Sequence, residues 1–144
     1  MYAIEDIEDA IVQALAESDL KETCSTIDHY SGSLDDLVEE MKRKPAQKPA
    51  VFVLYTGSRF SQPANRSYDD EQTYSVIAIV RDHRGADARR SGIYAVLEII
   101  KAALIDNDLG MDIEPLDPLG IELVEIAERV SIYAFSCKTS FSID

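Results

Sequence analysis

The stretch from Arg81 to Leu104, RDHRGADARRSGIYAVLEIIKAAL, constrains the fold more than any other part of the chain. It leaves an apolar strand, turns at Gly85 and enters a helix in which Ile93, Leu97, Ile100 and Leu104 recur at helical spacing. Tyr94, Val96 and Ile99 widen that stripe until little of the second half is polar. A helix so apolar must be covered, most simply by a sheet on one side and another element or subunit on the other. Arg89 and Arg90 fall in its first turn and Arg81 and Arg84 just before it, a basic cluster in an otherwise acidic chain.

The elements around this helix follow from the same patterning. Ile4, Ile7, Ile11 and Leu15 share one helical face, and Glu5, Asp6, Glu8 and Asp9 sit in the first turns, where they complement the helix dipole. Thr23 to Tyr30 reads as a short edge strand closed by Ser31-Gly32-Ser33. Ser31 or Ser33 then caps a second helix carrying Leu34, Leu37, Val38 and Met41, with Lys42, Arg43 and Lys44 at its end and Pro45 stopping it. Pro49 to Tyr55 is an uninterrupted apolar run, the pattern of a strand covered on both faces. Gly57 to Gln72 is polar, contains Pro63, and reads as a long hairpin loop.

Tyr74 to Val80 is the second strand of that hairpin, with Tyr74, Val76, Ala78 and Val80 on one side and Ile77 and Ile79 on the other. After the central helix, residues 106–110 carry turn chemistry, and Pro115 and Pro118 confine any strand between Asp112 and Leu119 to a short or edge position. Ile121–Ile126 and Val130–Ser136 are β-like on either side of a turn at Ala127-Glu128-Arg129, and Phe141 and Ile143 extend the last strand or form a tail. Strands run together before and after the central helix. The expected class is therefore α+β, a mixed, largely antiparallel sheet of four to five strands packed on two or three helices. All 144 residues are expected to form one domain.

A formal net charge of −13 argues against general nucleic-acid binding, which needs a basic surface to neutralise phosphates. It fits simple solubility, and it fits a channel lining to which passing DNA does not stick. The acidic start MYAIEDIEDAI lacks the apolar segment of a secretion signal, and no apolar run is long enough to span a bilayer, so a soluble intracellular protein is expected. Cys24 and Cys137 are then expected to be buried free thiols.

Catalytic chemistry is sparse. His29 and His83 stand in no metal-binding pattern, and the adjacent Asp82-His83 would point to opposite faces of a strand. Neither cysteine has a CxxC partner. Asp69-Asp70-Glu71 reads as a solvated loop tip rather than a cation site, and Gly85 and Gly92 are isolated, without a phosphate-cradling motif. Arg81, Arg84, Arg89 and Arg90 could grip phosphate at a helix N-terminus, but amid so many carboxylates they read as salt-bridge partners within or between subunits, because the planar guanidinium pairs bidentately with carboxylates. No enzyme, cofactor or metal is expected.

Three stretches carry a resemblance. The acidic amphipathic start from Ala3 to Leu15, the strand from Lys48 to Gly57 with Ala-Val-x-Val-x-Tyr-x-Gly, and the helix from Arg90 to Leu104 with Arg-x-Gly-x-Tyr-x-x-Leu-x-x-Ile resemble the Mu-like phage tail-protein family, found in contractile-tailed phages and prophages. The order of elements is also similar to that of tail terminators, α+β subunits that assemble as a hexameric ring. The resemblance implies a non-enzymatic homo-oligomeric ring that caps the tail tube, helps complete the tail and joins it to the head. Tube protein would be its partner, with sheath and head-completion proteins as further ones. DNA would pass through without specific binding, and no membrane would be involved. The chain would work in the host cytoplasm during assembly and in the virion tail afterwards. Arg59, Arg66, Tyr68, Arg84, Arg89 and Arg90 are the residues expected at subunit or tube interfaces. The competing reading is a regulatory α+β module that binds a small ligand or a protein.

Overall fold

Apolar side chains on both faces of one sheet divide the interior into two cores. The computed structural model describes residues 2–43, 48–64, 67–81, 84–127 and 129–143. Expectations about Lys44, Pro45, Arg66, Asp82, His83 and Glu128 fall outside them. The elements are α1 (Ile4–Ala16), a 3₁₀ turn (Asp19–Glu22), β1 (Thr26–His29), α2 (Leu34–Arg43), β2 (Ala50–Ala64), β3 (Ser67–Arg81), α3 (Ala86–Leu104), β4 (Asp117–Ala127) and β5 (Val130–Ile143). Strand order across the sheet is β1-β2-β3-β5-β4. β1 runs parallel to β2 and every other pairing is antiparallel, so the fold is α+β with a mixed sheet.

α1 and α2 each begin where a side chain accepts from a backbone amide at the helix start. The Asp6 carboxylate accepts from the Ala3 amide at 2.9 Å, and Ser33 Oγ accepts from the Asp36 amide at 3.1 Å at the start of α2. Gly85, with φ of 125°, makes the turn into α3. Ile93, Val96, Leu97, Ile100 and Leu104 of α3 are all buried, each contributing about 1.5–3 kcal/mol over an exposed position. They pack with Ile7, Ile11 and Leu15 of α1 on the sheet face formed by Val51, Val53, Tyr74, Val76, Ala78, Val80, Phe135 and Cys137. The 3₁₀ turn, which periodicity does not signal, inserts Leu20 into the same core and is capped by Ser18 Oγ.

The other face is smaller. Leu37 and Val38 of α2 cover Leu54, Ile77, Ile79, Ile132 and Ala134. The alternation along β3 thus sorts its side chains as the sequence predicts.

Two expectations are corrected. Gly57–Gln72 is not a long loop: β2 and β3 remain paired from Ala50↔Ile79 out to Ala64↔Ser67. The extended arm is stabilised by β5, whose Phe141, Ser142 and Ile143 pair with Asp70, Asp69 and Tyr68. Pro63 is tolerated because it falls in the register shift between Ser61 and Ala64, where the ladder is interrupted. Nor is Asp69-Asp70-Glu71 a loop tip. It lies within β3, with Asp70 buried and Glu71 3.7 Å from Lys138.

Candidate assembly surfaces

The sheet ends in two open edges, and their chemistry differs. β4 forms one edge. It exposes Leu119 (52%), Ile121 (42%), Leu123 (52%) and Ile126 (57%), apolar side chains of a size normally buried. Ile121 pairs with Phe135 and Leu123 with Tyr133, which puts both on the α1/α3 face of the sheet. A register shift between Leu123 and Glu125 then brings Ile126 opposite Ser131, on the same face. The bulge therefore converts an irregular sequence into one continuous apolar strip. Glu122 and Glu125 fall on the opposite face, opposite Ala134 and Ile132.

The strip continues onto α3. Tyr133 meets Tyr94 edge-on at 6.3 Å, and Arg90 lies over the Tyr94 ring at 5.7 Å. Burial and a hydrogen bond with Tyr94 raise the Tyr133 hydroxyl above the ordinary tyrosine range. Arg89 Nε donates to Ser131 Oγ at 3.1 Å. Arg89 and Arg90 therefore flank the β4 strip at its α3 border.

β2 forms the second open edge. β1 covers only Ala50 to Val53, so beyond Tyr55 the outer side of β2 has no strand beside it. Between register shifts at Tyr55/Gly57 and Ser61/Ala64, Gly57–Ser61 is a regular open segment. Phe60 is 62% exposed and lies opposite Asp70, on the α1/α3 face; Arg59 lies opposite Glu71, on the α2 face. Glycine begins the regular run on both edges. Gly57 has φ of 151° and Gly120 of 159°, backbone that other residues rarely adopt.

The residues expected at interfaces thus separate into two groups. Arg59 and the half-exposed Tyr68 lie on the arm, whereas Arg84, Arg89 and Arg90 lie beyond the far end of β3. From Tyr68 to Arg81 is about 43 Å of strand at ~3.3 Å per residue, so no single cluster exists. Arg81 and Arg84 line a groove with Thr23, Pro49 and Gly92, where Arg81 Nε and Nη1 are buried without a hydrogen-bond partner. Arg66 is outside the described residues. What the sequence reading missed is the β4 strip, although Ile121, Leu123 and Ile126 were visible as β-like residues.

Titratable groups are arranged for structure. Tyr74 Oη donates to Gln72 Oε1 at 2.6 Å, and Gln72 Nε2 donates to Asp70 Oδ2 at 2.8 Å, a buried polar ladder along one side of β3. Asp70 Oδ1 is left without a partner. Burial pushes the Cys137 thiol up to about 12 and the half-buried Cys24 thiol up to about 11; both are free. His29 is exposed, with Nδ1 3.1 Å from Asp28. Among the described residues, no group of three or more His, Cys, Asp or Glu side chains could hold a metal ion, and no helix is long and apolar enough to cross a membrane.

A mixed sheet with helices on both faces and two unpaired edges, one apolar, defines a subunit suited to association through its sheet. The family model for Bacteriophage Mu Gp37 matches residues 3–142, and the chain belongs to that family of phage proteins. A chain in the solved virion of a native gene transfer agent particle has the same fold at 12% identity, with a TM-score of 0.65, covering 99% of this chain and 100% of that one. No curated protein matches it.

Proposed function

We propose that this chain is a structural subunit of a phage or prophage tail that closes into a ring on the end of the tail tube, stops its growth and presents a surface for joining the head. The observation that carries the reading is the pair of open sheet edges in a member of the Mu Gp37 family. A subunit with two different edges associates head to tail, and such contacts close into rings when the rotation permits. A ring engages the tube through several weak contacts at once, so each contact need not be strong. With a net charge of −13, the assembled ring repels DNA phosphates and lets the genome slide through its lumen. The work is done by surfaces, and no substrate is transformed.

The arm formed by β2 and β3 is the element best placed to reach the tube or a neighbouring copy. Replacing residues 62–68 by Asn-Gly closes the arm as a tight hairpin on the Ser61↔Asp69 pair. The shortened chain is expected to fold with stability within about 1 kcal/mol of the parent, because none of the replaced residues whose burial is described is a buried apolar one. Tail completion, scored by electron microscopy of particles from complemented lysates, is expected to fall sharply. Normal tails from that variant would contradict a role for the arm.

A further inference from the structure

The two open edges are complementary to one another, and we infer that the β4 edge of one copy pairs with the Gly57–Ser61 segment of the next copy's β2, extending the sheet across the subunit boundary. This rests on the ring reading above and names its contact. Three observations support it.

The first is facial matching. On β4, Ile121 and Leu123 lie on the α1/α3 face and Glu122 on the α2 face. On β2, Phe60 lies on the α1/α3 face and Arg59 on the α2 face. When the sheet continues from one copy to the next, Phe60 lands beside Ile121 and Leu123, and Arg59 beside Glu122. Apolar meets apolar on one side, and opposite charges meet on the other. Among the described residues, neither Arg59 nor Glu122 has an ion-pair partner within its own chain.

Strand sense gives the second. β2 is antiparallel to β3, β3 to β5 and β5 to β4, so β4 runs opposite to β2. A rotation about a ring axis preserves the sense of every strand along that axis. The contact is therefore antiparallel, as strand addition at an open edge commonly is. Arg59 and Glu122 sit at levels of β3 marked by Glu71 and Ile77, an offset of about 20 Å at ~3.3 Å per residue. Four strand spacings span about 19 Å, so closure tilts the strands by roughly 45°, within the range of closed barrels.

The third is the fit of β1. Proceeding down β2 from Arg59 toward Ala50, the neighbour's antiparallel β4 is read from Glu122 toward its end at Ala127. Past that end, the edge of β2 is already occupied by its own β1, which pairs only with Ala50–Val53. Own strand and neighbouring strand share one edge end to end, without competing for it.

The test uses the full chain with Cys24→Ser, mixed with tail tube protein, and a short bismaleimide cross-linker. Arg59→Cys combined with Glu122→Cys is expected to give a ladder of linked oligomers on a denaturing gel, whereas either cysteine alone gives none. Arg59→Glu is expected to weaken self-association roughly tenfold, and adding Glu122→Arg to restore it. Linked dimers from Glu122→Cys alone would mean twofold pairing of β4 with β4 and would overturn the inference. So would ring-sized oligomers in which the double variant fails to link, an outcome that leaves the capping role standing. A chain that stays monomeric even with tube protein present would take down both.

Discussion

Tyr74 shows how one buried polar side chain organises the base of the arm. Its ring is fully buried beneath α1, and its hydroxyl donates to Gln72, which in turn donates to Asp70. Burial raises the Tyr74 hydroxyl well above the ordinary tyrosine range, so it remains a donor at any working pH. Tyr74→Phe removes that donor and leaves Gln72 Oε1 unsatisfied, at a cost of about 1–3 kcal/mol. Urea denaturation should register the loss as a lower midpoint with an unchanged slope. Cys137 provides a pH handle at the same scale. Its thiol is held at about 12 in the fold, against an ordinary value of 9.0. Between those values the unfolded chain releases a proton that the folded chain keeps, so this contribution to stability is full below pH 9.0 and lost as the pH rises toward 12. The native chain should also resist thiol alkylation at Cys137 at pH 8 until denaturant is added.

At the scale of elements, α1, α2, α3 and the β2–β3 hairpin were legible because their apolar residues repeat at the period of the structure they form. Ile93, Leu97, Ile100 and Leu104 recur every third or fourth residue and all four are buried. The arm was not legible. Ser58, Arg59 and Ser61 are polar because both faces of β2 meet water along the arm, and the partner that holds the arm in register, β5, lies about seventy residues downstream. The β4 strip was hidden for a different reason. Ile121, Leu123 and Ile126 break strict alternation, and only the bulge at Leu123/Glu125 brings them to one face. The 3₁₀ turn was missed because four residues are too few for a period to register. Gly120 tests the geometry of that edge. A Cβ there would meet no neighbour, but φ of 159° strains any other residue. Gly120→Ala should therefore cost about 1–3 kcal/mol through the backbone alone, and a thermal melt of that variant measures it. An unchanged melting temperature would mean the β4 backbone relaxes freely.

For the whole molecule, the five described candidate interface residues, Arg59, Tyr68, Arg84, Arg89 and Arg90, map onto the architecture in a way the sequence could not reveal. Charge and position drew attention to the arginines near α3 and on the arm, yet the strands carry these two groups to opposite ends of β3. That separation suits a ring better than a pocket: a residue at one end serves one neighbour and a residue at the other end serves the next, or the tube. Sedimentation velocity of the chain over a range of concentration and salt, with and without tail tube protein, tests this reading most directly. Closure predicts one species of fixed mass, a small multiple of the subunit, that appears or sharpens when tube ends are present and does not grow further with concentration. A monomer under every condition, or a polymer whose mass rises without limit, would contradict it.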